Sequence, residues 1–117
     1  MPNIQIYYLK RGHDVQKAER FFKERRVKYQ AVDLLKHPLA RRELEVFARA
    51  AGGVENLLDR GSTFVLSHPA AHMSDRDTIM EYLMAEPRLL RAPLVRNGQK
   101  ATVTVDEETW KKWTLET

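Results

Sequence analysis

Apolar and polar positions along this chain switch between two periods. Ile4 to Leu9 reads Ile-Gln-Ile-Tyr-Tyr-Leu, a β-branched and aromatic run that predicts a strand. Lys10-Arg11-Gly12-His13 breaks it, and Asp14 is the predicted N-cap of a helix. From Val15 onward, Ala18, Phe21 and Phe22 recur at helical spacing, with Lys17, Glu19, Arg20, Lys23 and Glu24 facing out. The helix should end near Arg25-Arg26, where cations suit the negative end of the dipole. Val27 to Leu34 predicts a second strand. A β-α-β unit this short implies a parallel pair with a right-handed crossover.

A different region opens at His37-Pro38. Leu44, Phe47, Ala48 and Ala51 mark an amphipathic helix from about Leu39 to Ala51, ended by Gly52-Gly53. Val54 to Leu58 fits one helical turn, and Asp59 to Ser74 reads as loop, with Gly61 and Pro69 in it. Another helix is predicted from Asp75 to Ala85, with Ile79, Tyr82 and Leu83 inward and Ser74 or Asp75 as cap. Glu86-Pro87 stops it or starts a short turn through Leu90. Asn97-Gly98, between Leu94-Val95-Arg96 and the alternating Lys100 to Val105, reads as a two-residue type I′ hairpin. Asp106, Glu107 and Glu108 then suit the first turn of a last helix, whose Trp110 and Trp113 pack one face on the sheet. The order is β-α-β, a helical insertion at about 38–90, then β-β-α. That is an α/β chain with a thioredoxin-like mixed four-stranded sheet and helices on both faces.

Composition narrows the function. At 117 residues, 43% hydrophobic and 31% charged, the chain is one domain with enough core to fold unaided. The net charge of +4 favours anions but is too diffuse to announce nucleic acid, and no basic stripe is interleaved with stacking aromatics. No apolar run approaches the ~20 residues of a membrane helix. Met1 to Leu9 lacks the pattern of a signal peptide, so a cytoplasmic protein is expected. There is no cysteine, hence no disulfide, no thiolate nucleophile and no Cys-based zinc site. His13, His37, His68 and His72 show no metal-binding spacing; Pro69 interrupts the only pair four apart, and all four are expected in exposed loops. Arg25-Arg26 and Arg41-Arg42 read as helix-end and helix-face charges, the alternative being a docking patch.

Four stretches together resemble the arsenate reductase-like family, which includes the Spx transcription regulators. They are Ile6-Tyr7-Tyr8 to Lys17-Ala18-Glu19-Arg20-Phe21-Phe22; Val32-Asp33-Leu34 with the helical block; Leu89-Leu90-Arg91-Ala92-Pro93-Leu94-Val95 with its hairpin; and Trp110-Lys111-Lys112-Trp113. The resemblance spans nearly the whole chain. It implies a thioredoxin-like fold with Pro93 in cis. The family's reactive cysteine aligns with Gly12, and the second cysteine of Spx-type pairs aligns with Val15. The family's arginine before the proline aligns with Ala92, and Arg91 lies one residue earlier. A glycine can neither attack arsenate nor form a mixed disulfide, so the family's cysteine mechanism is excluded.

What can remain is anion binding. Lys10, Arg11, Gly12 and His13 precede the first helix, whose free N–H groups and dipole favour an anion. Arg60, Arg91 and Lys100 are expected to converge there beside Pro93, the alternative being solvated loop charges. Tyr7-Tyr8-Leu9-Lys10-Arg11-Gly12 is also similar to the start of tyrosine-type glutathione transferases, with Tyr7 as the thiol-activating phenol. Those enzymes carry a large second helical domain for which this chain is too short; the other reading of Tyr7 is a half-buried strand aromatic.

Two functions stay open. One is a redox-inactive interaction or regulatory module; Spx-type relatives bind RNA polymerase, so a protein partner is its natural form. The other is a glutathione- or oxyanion-binding protein, or a cysteine-independent glutathione-dependent enzyme using the basic pocket. No metal and no resident cofactor is expected, glutathione apart.

Overall fold

The structure, a computed structural model, describes residues 3–115. Strand β1 (Ile4–Tyr8) is followed by helix α1 (His13–Glu24) and strand β2 (Tyr29–Asp33). Then come α2 (Arg41–Ala51), a 3₁₀ turn (Val54–Leu57), the single helical turn α3 (Thr63–Leu66) and a second 3₁₀ turn (Pro69–His72). Helix α4 (Arg76–Ala85), a third 3₁₀ turn (Pro87–Leu89), the hairpin β3 (Leu94–Asn97) and β4 (Lys100–Val103), and α5 (Glu107–Leu115) complete the chain. The sheet order is β2-β1-β3-β4. β1 runs parallel to β2 with Ile6 beside Ala31, and antiparallel to β3 with Ile6 beside Val95. Ala92–Pro93 is cis. This is the thioredoxin-like architecture that the sequence predicts.

The period of two in β1 divides the core. Ile4 and Ile6 join Ala18, Phe21 and Phe22 of α1, Val95, and the two tryptophans of α5 on one face. Tyr7 joins Leu44 and Phe47 of α2, Ile79 and Met80 of α4, and Leu94 on the other. Trp110 is fully buried, 5.4 Å from Phe21 and 5.3 Å from Phe22 between ring centroids, and its Nε1–H donates to Thr102 Oγ1 at 2.8 Å.

Several local expectations are corrected. Gly12, not Asp14, is the N-cap of α1, so His13 is its first residue and Asp14 lies in its first turn. α2 begins at Arg41 rather than Leu39, because Ala40 is still extended and the Glu43 carboxylate accepts from its N–H at 3.0 Å. Ala40 has no acceptor to complete a capping box. The stretch 59–74 is not plain loop: it holds α3 and a 3₁₀ turn, which carry Val65 and Ala70 into the core. Without helical periodicity over more than one turn, that segment gives no pattern to read. In α4, Asp75 is the cap and Met80 is buried beside Ile79 and Leu83, while Tyr82 sits at the core margin. Asn97 pairs with Lys100, so the hairpin loop is Gly98-Gln99. Only Gly98 has a positive φ, 63°, which fits type II′ rather than I′. β4 ends at Val103, and β2 is shorter than Val27–Leu34 at both ends.

α1 closes with a Schellman motif: Val27 N–H donates to Phe22 O at 2.9 Å and Arg26 N–H to Lys23 O at 3.1 Å. The left-handed position, usually glycine, is Arg26 at φ 56°. Gly52 fills the equivalent place after α2 at φ 83°.

Candidate functional site

The turn from β1 into α1 and the turn into β3 form a groove of about 280 Å³ at the carboxyl end of β1. Leu9, Lys10, Gly12, His13, Asp14 and Val15 line one wall, and Asp59, Leu90, Ala92 and Pro93 the other. The Asp59 N–H donates to Leu89 O at 3.0 Å and the Arg91 N–H to Leu57 O at 2.8 Å, so the insertion is tied to the strand leading into Pro93. Gly12 has φ −105° and ψ −163°, extended backbone open to any residue. A Cβ added there would meet nothing within 4 Å. Neither backbone conformation nor packing demands glycine at this position.

The expected basic cluster does not assemble. Of the cations named from the sequence, Lys10 and the exposed His13 line the groove. Arg11 turns to the far flank of α1, where Nη1 pairs with Glu19 Oε1 at 2.7 Å and the guanidinium lies 4.6 Å from the Tyr8 ring centre. Arg60 donates to Ala71 O at 3.0 Å and Arg91 to Asn56 O at 3.2 Å, both within the insertion. Lys100 opens β4 opposite Asn97, which itself pairs with Ile4, so it stands at the other end of the sheet from Gly12. Asp14, read from the sequence only as a helix cap, and Asp59, which no sequence motif singled out, take the arginines' place in the walls. Asp14 is adjacent to His13 in the chain, whereas Asp59 arrives from a segment whose fold the sequence does not announce.

Tyr7 lies elsewhere. Its ring is buried edge-on to Phe47 at 5.7 Å, and its hydroxyl is shared between Gln5 Oε1 at 3.1 Å and Glu43 Oε2 at 3.3 Å. It faces a separate pocket of about 500 Å³ on the α2 side, lined also by Gln30, Lys36 and Glu43. Burial first, and the Glu43 carboxylate second, push the phenol pKa up. The folded chain therefore holds the phenolic proton more tightly than the unfolded one. That contribution to stability is full below the unfolded value of about 10 and is lost as pH rises through the higher folded value. Tyr29, raised first by burial and then by its bond to Glu19, acts in the same direction. Stability should accordingly fall above about pH 10, with a shallower fall in Tyr7→Phe, as read by urea unfolding at a series of pH values.

The histidines do not gather. His13 is exposed in α1 and His37 in the loop after β2, while His68 accepts from Ala70 N–H and stacks edge-on to Tyr82 at 4.9 Å. His72 bonds Leu66 O at 2.6 Å. Three of the four depart from the exposed-loop placement expected of them: His13 opens α1, His72 closes the second 3₁₀ turn, and His68, half-buried, is the N-cap of that turn. Among the described residues no helix is long and apolar enough to cross a membrane.

The same architecture recurs in solved structures. An ArsC family related protein from Bacteroides fragilis superposes with a TM-score of 0.78 at 18% identity, over 94% of this chain and 96% of the other. The chain has the arsenate reductase-type thioredoxin-like fold. The arsenate reductase from Vibrio cholerae gives a TM-score of 0.73 at 16% identity, covering 98% of this chain and 97% of that one. An arsenate reductase (ArsC) related protein from Brucella melitensis gives 0.67 at 20% identity, with 95% and 93% covered. No family model matches the sequence, and no curated protein does. In this arsenate reductase-type fold the present chain carries no cysteine at any position.

Proposed function

We propose that this chain is a redox-inactive interaction module built on the arsenate reductase-type fold. The observation that carries the reading is Gly12: the groove is formed, the place aligned with the nucleophile is open, and no thiol occurs anywhere in the chain. Two further points support it. Asp14 and Asp59 in the walls repel arsenate and phosphate rather than gather them. The arginines that would oppose them are engaged with Glu19, Ala71 and Asn56. A scaffold without its reactive group can still present surface, and proteins on one fold differ by such losses.

Co-purification from native lysate tests the reading. With N-ethylmaleimide present and reductant absent, a defined partner should remain bound, because no step of the association uses a thiol. A chain that elutes alone under every condition would overturn it.

A second reading, glutathione or oxyanion binding in the groove, rests on one observation. Lys10, His13 and the amino end of α1 still face it. Phosphate titration followed by NMR should then shift Gly12, His13 and Asp14 saturably, and the shifts should shrink with salt. No shift at those three residues rejects it.

A further inference from the structure

We infer that the seam between α1 and β2 is a docking surface for an acidic segment of a partner protein; the inference rests on the module reading above. Two adjoining depressions of about 360 and 430 Å³ share Lys23 and Tyr29 and run together along this seam. Arg11, Arg20 and Lys23 line its first half, and Arg26 and Lys28 its second. These five cations face one carboxylate, Glu19. Their excess of four equals the net charge of the whole chain, +4, so the remaining residues are neutral in sum. Glu19 is itself occupied by Arg11 at 2.7 Å and by the Tyr29 hydroxyl at 2.9 Å. Among the described residues, the side chains of Arg20, Lys23, Arg26 and Lys28 have no hydrogen-bond or ion-pair partner.

Arg26 gives an independent sign. It occupies the left-handed position of the Schellman motif at φ 56°, where the fold alone would favour glycine, as it has at Gly52. The backbone there bears a strain that brings the seam one more cation. Strained residues of this kind concentrate at binding sites.

The floor selects the partner's class. Half-buried Val27 and Tyr29 offer apolar surface beneath the cations, which suits carboxylates interspersed with apolar side chains. β2 is an edge strand, so an extended segment in the seam also meets open backbone groups. Single-stranded nucleic acid fits worse: Tyr29 is the one ring lining the seam, its hydroxyl is tied down, and Glu19 stands among the cations. An anionic membrane fits worse too, because the exposed large apolar side chains Leu35, Phe64, Leu66, Met84 and Leu115 lie on other elements.

The test is an anisotropy titration with a fluorescein-labelled peptide of repeating Asp-Glu-Leu. Binding should saturate and weaken with salt. The double variant Lys23→Glu, Lys28→Glu should lose about tenfold or more in affinity. Arg49→Glu, on α2 across the sheet, should leave affinity within about twofold. Arg26→Gly should weaken binding while raising the urea midpoint, a pairing that a purely structural role for Arg26 does not produce. Equal losses in the double variant and in Arg49→Glu would overturn the proposal. So would tighter binding of an oligothymidylate or of phosphatidylserine vesicles than of the peptide. A lysate partner retained by the double variant would reject this surface and leave the module reading standing. A wild-type chain that retains no partner would reject the module reading itself.

Discussion

Gly12→Cys is expected to fold like the parent and to give one thiol per chain that reacts rapidly with iodoacetamide, where the parent gives none. The backbone at Gly12 is extended and the space around a new Cβ is empty within 4 Å, so the substitution meets neither strain nor clash. The introduced sulfur would sit at the N-cap of α1, where free N–H groups and the helix dipole hold a thiolate, with Lys10 and His13 nearby. Its pKa should lie below that of a free thiol. Asp14 and Asp59 act against that shift, and they act more strongly against an approaching arsenate dianion. The variant should therefore alkylate readily yet leave arsenate unreduced. Adding Asp59→Asn should speed alkylation at neutral pH. A thiol that titrates like free cysteine in both variants would show that the groove lacks the electrostatics ascribed to it.

Trp110→Ala carries the largest expected cost in stability, roughly 3–5 kcal/mol from lost burial and the cavity left behind. A domain of this size is commonly stable by about 5–15 kcal/mol, so the variant should unfold at low urea or be partly unfolded in buffer. The ring is fully buried between Phe21 and Phe22 and joins α5 to α1 across one sheet face. Trp110→Phe keeps much of that packing but removes the donor to Thr102, whose hydroxyl is buried on β4. That loss should cost less, about 1–3 kcal/mol. Equilibrium urea unfolding with unchanged slope would separate the two. Equal midpoints for alanine and phenylalanine would place the contribution in the hydrogen bond rather than in packing.

The sheet was legible because its strands carry their own signals. Ile4 to Tyr8 alternates between two cores, and Ala18, Phe21 and Phe22 recur at helical spacing, so face and partner follow from period alone. Within the insertion, Val54–Leu57 was legible as a helical turn, but the stretch 59–74 was not, since Val65 and Ala70 reach the core from helical turns too short to show a period. Hairpin register slipped by one residue because Asn97-Gly98 suits a type I′ turn, whereas Asn97 remains in β3 and its side chain accepts from Asn3 N–H at 3.1 Å. At the groove, Gly12 and Pro93 were legible from alignment with a known pattern. The arginines were not. Arg11, Arg60 and Arg91 are long side chains whose direction depends on Glu19, Ala71 and Asn56, and no spacing in the sequence encodes those contacts. Tyr7 was legible as a strand aromatic, but the sequence suggested half-burial where the ring is buried, and it did not show Glu43, 36 residues away, as its partner.

The most direct test of the central claim is turnover of the unaltered chain. Purified protein, supplied with arsenate, glutathione, glutaredoxin and a nicotinamide-coupled readout, should consume reductant no faster than buffer alone. Insulin disulfide reduction should likewise stay at background, since the chain has no thiol with which to begin either reaction. Turnover above the buffer control that scales with protein concentration would contradict the account.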